Sequence, residues 1–106
     1  IIDPKVANAG LPSEIWHARD GIKEYKTLPE FLAAVASFRA TGAKLNSTYV
    51  YDKETGLKLF GKTAFWTVTP KGEFATFLRR GEAEKYAASV GGKVIDFEEA
   101  IALKSS

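Results

Sequence analysis

Cysteine and methionine are both absent from the 106 residues, and histidine occurs once, at His17. Without cysteine the chain holds no disulfide, thiolate metal site, iron–sulfur cluster, covalently attached haem or cysteine nucleophile. An excess of either charge is missing as well. Fifteen Lys and Arg stand against thirteen Asp and Glu, a formal net charge of +2, with the two signs interspersed along the chain. Nucleic-acid-binding surfaces gather their cations on one stripe. The densest basic spot here, Arg79-Arg80 with Lys85, reads instead as the solvated start of a helix, so no nucleic-acid partner is expected. No apolar run approaches the roughly 20 residues of a membrane-spanning helix. The chain opens at Ile1 without Met and reads as a processed or partial chain, whose signal or anchor would lie upstream.

What is present suffices for a core. Hydrophobic residues make up 45% of the chain and aromatic residues 12%, and the length is that of one domain, 1–106. Residues 1–13, with Pro4, Gly10 and Pro12, read as an extended lead-in. Glu14 to Arg19 is strand-like, Asp20-Gly21 is a hairpin-turn dipeptide, and Ile22 to Lys26 returns as a second strand. Thr27-Leu28-Pro29-Glu30 is a capping box with proline in the first turn. Leu28, Phe31, Leu32, Val35 and Phe38 then recur at helical spacing until Thr41-Gly42. A strand from Leu45 to Tyr51 and a turn over Asp52 to Gly56 follow.

The same order then returns. After Leu57 to Phe60 come a strand from Ala64 to Thr69, a turn at Pro70-Lys71-Gly72, a strand from Glu73 to Leu78 and a helix from Gly81 to Val90, stopped by Gly91-Gly92. Lys93 to Ile95 is a short strand, and Asp96-Phe97-Glu98-Glu99 caps a terminal helix through Leu103. Trp16 and Trp66, Leu28 and Leu78, and Gly42 and Gly92 each lie 50 residues apart. The expectation is an α+β fold of two tandem ββαβ units, 14–52 and 57–103, with a short C-terminal helix. Units this small must share one core.

Residues able to carry chemistry are few. His17 lacks the acidic or thiolate partners of a zinc site and any nucleophile to activate, so it reads as a strand histidine. Asp52, Glu54 and Gly56 echo a calcium loop, but Thr63 stands where the bidentate glutamate belongs. Asp96, Glu98 and Glu99 fit helix capping. No catalytic residue, metal ligand or cofactor site is assigned, and the chain is read as no enzyme. The strand aromatics exceed the obvious needs of the core. Trp16, Tyr49, Tyr51 and Trp66 are therefore the candidates for a protein-docking surface, since Trp and Tyr supply large contact area with a polar handle.

One stretch resembles a known family. Tyr49-Val50-Tyr51-Asp52, Gly56, Ala64-Phe65-Trp66-Thr67-Val68, Pro70-Lys71-Gly72, Glu82 to Ala87 and Gly91 to Glu99 are similar to the C-terminal part of NosL, the nitrous-oxide-reductase accessory proteins. Val6-Ala7, Pro12, Asp20-Gly21 and Phe31 match more loosely. The resemblance implies two homologous ββαβ units, and an exported, periplasmic or extracellular accessory protein connected with copper. The family's N-terminal Cys-Gly-Met stretch falls where this chain has Ile2-Asp3-Pro4, and its Pro-Met-Gly turn is Pro70-Lys71-Gly72 here. Cu(I) prefers thiolate and thioether donors, so no metal ligand is carried over. The reading is a non-catalytic accessory domain that docks to a protein partner such as a periplasmic redox enzyme. The alternative is a copper-trafficking protein whose ligands lie outside this sequence.

Overall fold

The structure is a computed structural model that describes residues 13–18, 21–42 and 45–105, with His17, Asn46 and Ser105 described by their backbone alone. The lead-in before Ser13, the Asp20 half of the first turn and the matches at Val6-Ala7 and Pro12 lie outside the described residues. The fold is α+β. Its elements run β1 (Ser13–His17), β2 (Gly21–Tyr25), α1 (Leu28–Ala40), β3 (Leu45–Tyr51), β4 (Lys58–Phe60), β5 (Phe65–Val68), β6 (Phe74–Phe77), α2 (Arg80–Val90), β7 (Lys93–Ile95) and α3 (Phe97–Ser105).

Local chemistry sets most of these boundaries. Thr27 caps α1, accepting the Glu30 N–H on its hydroxyl at 3.3 Å. Beyond the helix Gly42 takes a left-handed φ of +74°, a conformation that costs glycine nothing. At α3 the capping is reciprocal: Asp96 Oδ1 accepts the Glu99 N–H at 2.8 Å, and Glu99 Oε1 accepts the Asp96 N–H at 3.3 Å.

The strands form two antiparallel sheets, ordered β2-β1-β3-β4 and β6-β5-β7. In each half a hairpin is followed by a helix, and the next strand then pairs with the first strand of that hairpin. Connectivity and strand order thus match between the halves. Two details differ from the expectation. Lys58–Phe60 pairs with β3 and extends the first sheet, whereas the sequence reading had placed 57–60 in the second unit. The counterpart of Gly42 is Gly91, left-handed at +70°, because Gly92 serves a different purpose. A Cβ on Gly92 would stand 2.3 Å from the Val68 carbonyl oxygen, so that glycine lets the chain pass close to β5.

Helix α1 lies against one face of the first sheet, burying Phe31, Leu32 and Val35 against Ile15, Val50 and Leu59. Helix α2 covers one face of the second sheet, where Ala83 and Tyr86 meet Ala75, Phe77 and Phe65. The opposite face of the second sheet, carrying Trp66, Val68 and Ile95, turns into the core shared with α1 and α3.

Asp52 ties the sheets together. It is almost wholly buried; its Oδ1 accepts the Leu78 N–H at 2.8 Å, and Oδ2 accepts the Thr55 N–H at 2.9 Å and the Thr55 hydroxyl at 2.6 Å. Beside it the Lys53 N–H donates to Thr76 O, and the Thr76 hydroxyl donates to Tyr51 O. Asp52→Ala leaves the part-buried donors of Leu78 and Thr55 without their acceptor and should destabilise the protein by about 2–3 kcal/mol in urea unfolding, Asp52→Asn by roughly half of that. A loss below about 1 kcal/mol would mean that the backbone bonds alone hold the junction.

Candidate functional site

Side chains alternate across a strand, so the register of the first sheet fixes what shares its outer face. Glu14 and Trp16 of β1 stand beside Ile22 and Glu24 of β2, beside Ser47 and Tyr49 of β3, and, through Tyr49 and Tyr51, beside Phe60 and Lys58 of β4. Ile15, Val50 and Leu59 take the other face and are buried under α1. Among the described residues four large apolar side chains are exposed: Trp16 at 44%, Ile22 at 58%, Phe60 at 43% and Leu103 at 47%. The first three lie on this one face.

The rest of the face is fixed in place. Tyr49 packs its ring 5.7 Å from that of Phe60, tilted by 32°. Lys58 Nζ sits 4.7 Å above the Tyr49 ring and 2.7 Å from Glu14 Oε1, with both charged side chains mostly buried. Burial works against the Lys58 charge, but the hydrogen bond and charge of Glu14, with Tyr51 and Tyr49, outweigh it and hold the pKa above the usual lysine value. The pair neutralises itself, and Tyr51 is half-buried alongside it. The result is an apolar rim, Trp16 and Ile22 on one side and Phe60 on the other, around a self-compensated polar centre.

Of the four sequence-predicted docking residues, the structure brings Trp16, Tyr49 and Tyr51 onto this face and withdraws Trp66. Trp66 is 0% exposed. Its ring stacks on Phe31 at 6.2 Å and on Phe97 at 5.6 Å, and its indole N–H donates to Gly61 O at 3.0 Å. It is a core residue because α1 and α3 close over it. Ile22 and Phe60 were missed. A two-residue turn at Asp20-Gly21 would have set Ile22 opposite Arg19 and Tyr25 opposite Trp16, whereas Gly21 already pairs with His17 and Ile22 with Trp16, so the turn dipeptide pointed Ile22 to the wrong face. Phe60 had no local signal, since its partner strand lies across the Asp52 turn.

The other sequence candidates resolve locally. The oxygens of Asp52 are filled by Thr55 and Leu78, which leaves no calcium loop. Asp96 and Glu99 cap α3, while Glu98 forms a two-pronged pair with Arg39, at 2.9 Å for the Nη2–Oε2 contact. The Arg39 hydrogen bond holds the Glu98 carboxyl below its usual range, against the effect of burial, with the charges of Arg39 and Lys62 adding to it. His17 is described only by its backbone, opposite Gly21 and Leu45. Among the described residues no group of three or more His, Cys, Asp or Glu side chains is placed to hold a metal ion, and no helix is long and apolar enough to cross a membrane. An open cleft of about 410 Å³ runs past Val35, Arg39, Thr48, Lys62 and Phe97. Its most directional donor, the Arg39 guanidinium, is already taken by Glu98.

No protein-family model matches the chain, and no curated protein matches it. Among solved structures it is similar to the crystal structure of the copper chaperone NosL from Shewanella denitrificans, with a TM-score of 0.67 and 18% sequence identity over 85% of this chain and 78% of that one. At that identity the likeness is one of architecture: the chain has a NosL-like fold.

Proposed function

We propose that this chain is a non-catalytic, exported accessory domain on a NosL-like scaffold, and that it docks a protein partner, such as a periplasmic redox enzyme, on the outer face of its first sheet. One observation carries the reading: of the four large exposed apolar side chains among the described residues, three, Trp16, Ile22 and Phe60, gather on a single sheet face. Scattered exposed hydrophobics need no explanation, but a cluster on a pre-formed surface marks a contact site. The shared ββαβ connectivity supports an origin by internal duplication, in which one unit's outer face was closed by the core and the other's was left open.

The fold neighbour, a copper chaperone by its description, favours a second reading: copper trafficking. The residues present do not suit that cargo. Cu(I) is held by soft donors, and the chain has no Cys, no Met and one His. Lys71 brings a cation to the turn that carries the family's thioether. The two readings separate in a competition titration against a colorimetric Cu(I) chelator, where the chain should bind no better than a ligand-poor control. Docking is tested by capture of the partner from the native extract, its identification, and measurement of affinity with the purified partner. Trp16→Ala combined with Phe60→Ala should weaken binding by at least about a hundredfold, as expected when two large aromatic contacts are truncated together, while the unfolding midpoint stays nearly unchanged. Stoichiometric Cu(I) binding, or partner affinity indifferent to both substitutions, would reverse the assignment.

A further inference from the structure

Trp16 and Trp66 occupy matching places. Each lies on the central strand of its unit, on the face turned away from that unit's own helix: Trp16 opposite the Ile15 face that α1 covers, Trp66 opposite the Phe65 and Phe77 face that α2 covers. Around Trp66 that face is closed by two helices, each presenting a phenylalanine. Phe97 of α3 stacks at 5.6 Å and 24°, and Phe31 of α1 at 6.2 Å and 16°. Around Trp16, which is 44% exposed, no helix among the described residues covers the matching face. We infer that the outer face of the first sheet is the seat of a single amphipathic helix from a partner protein, one that presents an aromatic ring to Trp16 and a cation to Glu24. The inference rests on the docking reading above and adds the chemistry of the occupant.

Size selects a helix over a second copy of the chain. Four strands about 4.8 Å apart give a face roughly 15–19 Å wide, and its two or three outward side chains per strand make it roughly 10–13 Å long. An area on the order of 250 Å² falls well short of the about 800 Å² per partner that a stable pair of globular proteins buries. One helix, about 10–12 Å across, covers it in about ten to thirteen residues. Charge adds a direction. Glu14 and Lys58 neutralise each other, whereas Glu24 is exposed and has no ion pair among the described residues. It sits diagonally from Trp16 across the β1–β2 pair, about 7–8 Å away. A ring and a cation spaced i, i+4 on one helix face span nearly that distance.

The chain's own α3 supplies the probe. A stapled helix with the sequence of residues 97–105 carrying Ile101→Lys keeps the ring of Phe97 and sets a cation four residues on, on the same face; the staple is needed because nine residues alone are too short to be helical in water. Titrated into the full ¹⁵N-labelled chain, it should move the Trp16 indole N–H and the Ile22 and Phe60 amides saturably and leave the Trp66 indole in place. The same peptide with Phe97→Ala should bind about tenfold more weakly, the worth of one aromatic stack and its buried area. No saturable shift at millimolar peptide, equal binding without the ring, or shifts centred on Trp66 would each overturn the inference. So would concentration-dependent dimerisation of the chain alone that broadens the Trp16 signals, which would give the face to a second copy. Partner affinity that depends on Trp16 without any helix binding sinks the helix inference alone. Partner affinity indifferent to Trp16 sinks the docking reading itself.

Discussion

Trp66→Ala should lower the unfolding free energy by about 3–5 kcal/mol, and Trp16→Ala by less than about 1 kcal/mol. The two tryptophans share a residue type and a place in their units, so the contrast isolates environment. Trp66 is sealed beneath Phe31 and Phe97 with its indole N–H satisfied by Gly61 O. Removing it leaves a cavity at the centre of the shared core and an orphaned carbonyl. Trp16 is 44% exposed, and its loss removes little that folding had buried. Urea unfolding of both variants is the measurement. Equal losses would mean that Trp16 is covered in solution and that the outer face is not free to dock anything.

Gly92→Ala is expected to cost about 3 kcal/mol, the upper part of the usual range for forcing an atom into a packed site. The added Cβ would meet the Val68 carbonyl oxygen at 2.3 Å, with Val68 C at 3.1 Å and Thr69 Cα at 3.2 Å behind it. All three are backbone atoms of β5 and the residue after it, so no rotamer change relieves the clash. Gly91→Ala should cost less, about 1–2 kcal/mol, because its Cβ meets nothing within 4 Å and only the left-handed φ of +70° is strained. Thermal and urea unfolding of the two single variants give the comparison. A Gly91 variant as damaged as the Gly92 variant would show that helix termination, not the close passage by β5, governs this corner.

Much of the fold was legible wherever local chemistry decides it. Helix α1 runs over Leu28–Ala40 as read, because Thr27, Pro29 and Thr41-Gly42 mark its ends through contacts local in sequence. The same holds for β3 over Leu45–Tyr51 and β7 over Lys93–Ile95. Contacts distant in sequence were harder. Lys58–Phe60 is a three-residue strand whose sheet is set by pairing with β3, not by any periodicity of its own. The fate of Trp66 depends on α3, which begins some thirty residues later and lays Phe97 on its ring. The strand Phe65–Val68 is apolar around Trp66, where β1 carries Glu14 and His17, so burial of Trp66 was the stronger expectation; which helices cover it is not legible in the strand. The glycine correspondence slipped by one residue because Gly91 and Gly92 are adjacent, and only the backbone angle and the space around each tell them apart.

The docking face itself is tested most directly by cross-linking from defined positions. A photo-reactive phenylalanine analogue is placed singly at Trp16, at Phe60 and at Leu103, and each variant is irradiated in the native extract. Leu103 is the control, since it is as exposed as Trp16 but belongs to α3, away from the first sheet. Positions 16 and 60 should yield the same cross-linked partner, and position 103 should not. Products from position 103 as abundant as those from 16, or different partners at 16 and 60, would contradict a single docking surface on the outer face of the first sheet.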